Sequence, residues 1–171
     1  MLKKIKSLYR KTLWSYEQQA RYKGVKIGEG CDIQKVSFGS EPYLVTLGNR
    51  VQITGGTKIF THGGAHVLRQ KHPKMDFFGK VHIKDNVYIG NNCLIMPGVT
   101  IGSNVIVAAG SIVTKSIPDN VVVAGSPAKV ISSIEDFEAK MLSKNVNTKG
   151  MNYDDKKNYL LSLSDSSFIV K

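Results

Sequence analysis

VHIKDNVYIGNNCLIMPGVTIGSNVIVAAGSIV, residues 81–113, repeats with a period of six. Ile83, Ile89, Ile95, Ile101, Val107 and Val113 form one series, and Val81, Val87, Cys93, Val99, Val105 and Ser111 form a second, two positions earlier. An amphipathic helix needs apolar residues at spacings of three and four, and a half-buried strand of an open sheet needs strict alternation. A period of six satisfies neither. It describes a short strand, a turn and another short strand, stacked as a solenoid whose neighbouring turns bury one continuous core. Gly90-Asn91-Asn92, Pro97-Gly98 and Gly102-Ser103-Asn104 fall between the strands, and Gly and Asn reach left-handed corner conformations at low cost.

Outward from this block the period recurs at residues 47–64, and a fainter turn lies at 27–33. Residues 65–80 break it. They carry Arg69, Lys71, His72 and Lys74 with Pro73 and Gly79, and read as a loop extruded from the solenoid wall; ordered flanks around so long a loop favour function. In this register Gly63 takes an inward slot and His62, one position before it, projects at a corner. Cys31 and Cys93 take equivalent inward slots and read as buried thiols. After Pro118 the pattern turns helical, with Ile134, Phe137, Met141 and Leu142 at helical spacing and Ser133 placed to cap. Three segments follow: a basic amphipathic helix over 1–23, a β-helix domain over 24–130 with its loop at 65–80, and a helical tail over 131–171.

A chain of 171 residues with 42% hydrophobic content suits one domain with a sizeable core. No apolar run has the length of a transmembrane span, and residues 1–20 lack the apolar core of a signal peptide, which sets the expected location in the cytoplasm. The formal net charge of +11 calls for an anionic partner. Nucleic acid is disfavoured, because no nucleic-acid motif is present and the cations are not interleaved with aromatics. Lys3, Lys4, Lys6, Arg10 and Lys11 share the first helix with Leu2, Ile5, Leu8, Leu13 and Trp14. Such a helix can cap the first solenoid turn, the reading favoured here, or make a weak peripheral contact with the inner face of a membrane.

The runs IGNNCL (89–94), IMPGVT (95–100), IGSNVI (101–106) and VAAGSI (107–112), with VAGSPAKV at 123–130, resemble the hexapeptide-repeat acyltransferases over most of the chain. That resemblance implies an all-β architecture, a left-handed parallel β-helix with three hexads per coil, an N-terminal helical cap and a C-terminal helix. It also implies a homotrimer with active sites at corners between subunits. IFTHGGAHVLR (59–69) and HPKMDFFG (72–79) are most similar to O-acetyltransferases of sugars, capsule and lipopolysaccharide. By that likeness the reaction is acetyl transfer from acetyl-CoA to a saccharide hydroxyl, directly in a ternary complex and with no metal.

Such a transfer needs a base, and imidazole titrates near neutrality. His62, in the Thr-His motif, is the expected catalytic base; His66, His72 and His82 are not assigned that role. The likeness places coenzyme A contacts at Asn91, Ala109, Thr114, Lys115 and Lys129. One position departs from the pattern: an acidic residue usually follows the Thr-His pair, and here Gly63 stands there. The group that sets the His62 tautomer must come from elsewhere, with Asp76 or a backbone carbonyl as candidates. Two alternatives remain: a zinc enzyme resembling the γ-class carbonic anhydrases, needing three converging histidines, and a non-catalytic assembly module.

Overall fold

A computed structural model of the chain describes residues 13–170. The basic positions of the expected first helix, Lys3 to Lys11, lie outside the described residues. What is described there is α1 (Tyr16–Tyr22), started by a capping box in which the Ser15 hydroxyl accepts from the Gln18 amide and the Gln18 side chain accepts from the Ser15 amide. Ala20 on this helix is buried in the core, and the Arg21 guanidinium donates to the carbonyls of Ile27 and Gly28 on the first solenoid turn.

The described residues hold thirteen short strands, twelve of them in parallel coils. Those of the parallel coils are β1 (Lys26–Ile27), β2 (Asp32–Ile33), β3 (Val45–Leu47), β4 (Gln52–Ile53), β5 (Lys58–Ile59), β6 (Val81–Ile83), β7 (Val87–Ile89), β8 (Leu94–Ile95), β9 (Thr100–Ile101), β10 (Val105–Val107), β11 (Ile112–Val113) and β12 (Val121–Ala124). Each turn of chain visits three walls in order: wall A holds β1, β3, β6 and β9; wall B holds β2, β4, β7, β10 and β12; wall C holds β5, β8 and β11. All these pairings are parallel and in register, for example Val105 with Val87 and Val107 with Ile89. The result is a three-sided parallel β-helix. The faint turn at 27–33 is its first coil.

Wall position follows from the period. In a two-residue strand one side chain points in and the next points out. Ile53, Ile59, Ile89, Ile95, Ile101, Val107 and Val113 are fully buried, while Lys58, His82 and Tyr88 face outward. The corner between walls A and B holds a residue with positive φ in every later coil: Arg50, Asn86, Asn104 and Asn120. There the asparagine side chains also bond from coil to coil, Asn86 to Asn104 at 2.8 Å and Asn104 to Asn120 at 2.9 Å. Buried polar groups are paired: Thr57 Oγ1 donates to the Gly90 carbonyl at 3.0 Å and Thr54 Oγ1 to that of Ile89 at 2.9 Å. Cys93 is buried, burial pushes its thiol pKa up, and its sulfur lies 3.2 Å from the Ala108 carbonyl; a thiol so placed is a packing group.

Two expectations are revised. The loop leaves the wall at Thr61 and returns at Phe78, closed by an antiparallel bridge between His62 and Phe78 and by the Gly79 amide donating to the Thr61 carbonyl at 2.8 Å. The hexad register therefore stops at Thr61. Thr61 is buried and Gly63 is exposed, so Gly63 does not occupy an inward slot. At the far end, β13 (Lys129–Ser133) folds back antiparallel on β12, taking Ile131, Ser132 and Ser133 out of the expected helical tail. The tail forms a second compact unit, residues 135–171, with α2 (Ile134–Leu142) and α3 (Tyr153–Ser162), the latter capped by Asn152 accepting from the Asp155 amide.

Since Ile95 is fully buried in a central coil, Ile95→Ala should lower unfolding free energy by about 2–5 kcal/mol and Ile95→Val by about 0.5–1.5 kcal/mol, measured by urea denaturation.

Candidate active site

Stacking decides what surrounds His62. The histidine sits where the chain turns from wall C to wall A. One coil earlier that corner is built by Glu41 and a 3-10 turn, Pro42–Leu44. The coils thus bring Glu41 beside His62 across a separation of 21 residues, with His62 Nδ1 2.7 Å from Glu41 Oε2. The same Oε2 accepts the Thr61 hydroxyl at 2.7 Å. The Glu41 side chain is 15% exposed and that of His62 43%, so the carboxylate is recessed and the imidazole reaches solvent. The Phe78 ring lies edge-on to the imidazole, centroids 6.0 Å apart.

The hydrogen bond from Thr61 is the chief cause that holds the Glu41 carboxyl below its usual range, with hydrogen bonding and charge from His62 adding to it against some desolvation. An ionised carboxylate only accepts, so the facing nitrogen, Nδ1, must carry the proton. In the neutral ring Nε2 is then the nitrogen that keeps its lone pair. This is the tautomer a general base requires. Glu41 therefore does the work for which Asp76 or a backbone carbonyl was the expected candidate. Asp76 is engaged within the loop instead: Arg69 Nη2 lies 3.4 Å from its Oδ2, and its Oδ1 accepts the Phe77 amide. Sequence spacing gave no sign of Glu41, except that it falls at the corresponding corner of the preceding coil.

The expected cofactor positions frame wall C. Thr114 and Lys115 lie at the same corner as His62, two rungs further on, or about 10 Å along the axis. Asn91 and Ala109 lie at the opposite corner of that wall, and their coils are tied by the Gly110 amide donating to the Asn91 carbonyl. Lys129 opens β13, just after Ala128 donates to the Ile112 carbonyl of wall C. All five are exposed. The loop's return is steric: a Cβ on Gly79 would overlap the Gly98 backbone of the next coil, so only glycine lets the chain rejoin the wall here. His66 lies on a 3-10 turn (Ala65–Leu68), His72 in the loop and His82 on the outer face of wall A. Among the described residues no group of three or more His, Cys, Asp or Glu is placed to hold a metal ion.

A family model described as bacterial transferase hexapeptide (six repeats) matches residues 80–115. Protein CapG of Staphylococcus aureus is 50% identical over 150 residues, spanning 85% of this chain and 87% of that protein. The chain belongs to the hexapeptide-repeat transferases. Its β-helix is accordingly the left-handed one of that family. The galactoside O-acetyltransferase of Escherichia coli is 44% identical over 98 residues, which is 56% of this hexapeptide-repeat transferase and 47% of that protein; the chain thus spans about half of that relative. A structure of galactoside acetyltransferase in complex with coenzyme A superposes with a TM-score of 0.55 at 30% identity, covering 72% of each chain.

Because folding lowers the Glu41 pKa, its contribution to stability is present above the unfolded carboxyl range and is lost as pH falls through the lowered folded value. Glu41→Ala should flatten the rise of melting temperature between about pH 3 and pH 6. Long-range nitrogen–proton NMR correlations should show His62 protonated at Nδ1 in the wild type, and a mixture of tautomers in Glu41→Ala.

Proposed function

We propose that this hexapeptide-repeat transferase moves an acetyl group from acetyl-CoA to a hydroxyl of a sugar or saccharide, with His62 as general base. The observation that carries the reading is the 2.7 Å contact of His62 Nδ1 with the recessed, ionised Glu41. Acetyl-CoA as donor and a sugar hydroxyl as acceptor are supported by the acetyltransferases to which the chain is similar.

In this reaction the acceptor O–H gives its proton to His62 Nε2 as its oxygen attacks the thioester carbonyl carbon. The tetrahedral intermediate collapses with cleavage of the C–S bond, and the protonated imidazole returns its proton to the departing sulfur. Glu41 is the positioning residue: it holds the ring and offsets the charge that forms on it. Thr61 secures the shared oxygen of Glu41, and Phe78 limits tilting of the ring. Direct transfer is preferred to an acyl-enzyme, because the partner of His62 Nδ1 is the Glu41 carboxylate rather than a serine or cysteine, and the Cys93 thiol is buried with a raised pKa.

Asn91, Ala109, Thr114, Lys115 and Lys129 form the proposed track for coenzyme A along wall C. The small side chains at Ala108 and Ala109 leave room for the pantetheine arm, and the two lysines meet phosphates as point charges. The exposed corner at His62 is completed, in this reading, by a neighbouring subunit of a homotrimer. The exposed loop residues Val67, Leu68, Phe77 and Phe78 give that neighbour an apolar surface. No helix among the described residues is long and apolar enough to cross a membrane. We place the reaction in the cytoplasm, where acetyl-CoA is available, with any contact at the inner membrane face made peripherally through the N-terminal segment.

His62→Ala should reduce turnover about 10²–10⁴-fold with little change in melting temperature, because the ring is exposed. Glu41→Ala should lower turnover by at least about tenfold while leaving the KM for acetyl-CoA unchanged. Lys115→Ala should instead raise that KM and spare turnover. Steady-state kinetics on the three variants separates these roles, and loss of turnover in a His66 or His72 variant with His62→Ala active would reassign the base. Sedimentation at micromolar concentration should show a trimer.

A further inference from the structure

Three lysines that no catalytic role absorbs line one concavity of the β-helix. A cavity of about 480 Å³ opens at the N-terminal end of wall C and is lined by Lys23, Lys35 and Lys58, with Ser37, Phe38 and Gly56 in its floor and sides. No acidic side chain lines it. None of the three lysines has a carboxylate within 4 Å among the described residues. Three lysines lining one concavity with no acidic side chain give it a positive potential, which favours an anion.

The wall of this cavity is set by the coils. Ser37 forms a parallel bridge with Lys58, the two facing outward as the first two rungs of wall C. Gly56 has a φ of 80°, and a Cβ there would overlap the Asn92 side chain, so only glycine fits at this edge of the cavity. The lining also includes Gly39, where a Cβ would lie 3.3 Å from the Ile59 carbonyl oxygen and 3.6 Å from the Thr61 hydroxyl. Thr61 and His62 share Glu41. Lys58 precedes His62 by four positions, at most about 14 Å of extended chain. One or two sugar rings carrying a phosphate span that distance.

Position along the axis assigns the cavity to the acceptor. The expected coenzyme A contacts lie on coils after His62, at residues 91–129, whereas Lys23 follows α1, Lys35 lies on the coil before His62 and Lys58 lies on the strand that leads into it. Donor and acceptor must meet at His62 from opposite ends. We infer that Lys23, Lys35 and Lys58 form an acceptor subsite for a phosphate or diphosphate carried by the saccharide. The inference rests on the acetyltransferase reading above. Lysine points to phosphate: three rotatable ammonium groups meet a multivalent, roughly spherical anion well, while a planar carboxylate is better matched by arginine forks, and no arginine lines the cavity. The cavity volume lies within the range of small-ligand sites.

The test uses the full chain with acetyl-CoA and a panel of hexoses and N-acetylhexosamines. Each sugar is presented as its methyl glycoside, its 1-phosphate, its uridine diphosphate derivative and, in mixed micelles, its polyprenyl diphosphate. For a sugar that accepts, kcat/KM should be about ten- to hundredfold higher with a phosphate than as the methyl glycoside. Inorganic pyrophosphate should compete with the acceptor and not with acetyl-CoA. The double variant Lys35→Gln/Lys58→Gln should abolish the phosphate preference. It should leave methyl glycoside kinetics, the KM for acetyl-CoA and the melting temperature near wild type. The better substrate of the uridine and polyprenyl forms identifies the source of the diphosphate. Equal kcat/KM for neutral and phosphorylated sugars overturns the subsite while the acetyltransferase reading stands. A raised KM for acetyl-CoA in the double variant also overturns it, since the cavity then serves the donor. Failure to transfer to every acceptor, with no acetyl-CoA binding by calorimetry, overturns the parent reading and this inference with it.

Discussion

Everything in the β-helix depends on register between stacked coils. Each rung bonds to the next through backbone groups, and each inward aliphatic side chain rests on its counterparts above and below. Slipping one coil by a single residue would turn Ile89, Ile95 and Ile101 outward and bring Tyr88, Leu94 and Thr100 into the core. That cost locks every coil to its neighbours, and corners consequently stack on corners. The asparagine ladder through Asn86, Asn104 and Asn120 is one product of that stacking. The Glu41–His62 pair is another.

The candidate site uses this rigidity and departs from it at one place. Where the loop leaves at Thr61, the hexad pattern ends, and the backbone is instead held by the bridge between His62 and Phe78. The imidazole is therefore fastened by a carboxylate from the preceding coil and by an antiparallel contact at the neck of its own loop. In the proposed reaction this support would keep the ring of the base in one orientation. Glycines at the neck serve the same geometry, since Gly79 is the point at which the chain can rejoin a wall already occupied by Gly98.

Wall C gathers the chemistry. Its later rungs carry the proposed coenzyme A track, its corner with wall A carries His62 and Glu41, and its first rungs carry the lysine-lined cavity. A donor and an acceptor laid end to end along one wall would bring thioester and hydroxyl together at the histidine. The high positive charge of the chain then has a local meaning, because both molecules are anionic in this arrangement.

The six-residue period alone was enough to read the solenoid, the inward series and the extruded loop, because a period is a local property and each hexad repeats the same in-and-out choice. The outward placement of His62 was also legible, beside a break in that period, while its role as base rests on the likeness to the family. Glu41 was not. It precedes His62 by 21 residues, and nothing in the sequence says which corners superpose until coil length and wall order are known. The inward slot assigned to Gly63 failed for a related reason: extrapolating a period cannot show where a loop ends it, and here the hydrogen bond of Thr61 to Glu41 ends it two residues early. The strand at Lys129–Ser133 escaped notice because its partner, β12, lies in another part of the pattern and runs antiparallel to it. The lysine cavity likewise combines Lys23, which caps the end of α1, with residues of two coils. The sequence by itself determined the repeat and the chemistry available at each corner; the tertiary structure decided which corners meet, since stacking is a property of coils in space.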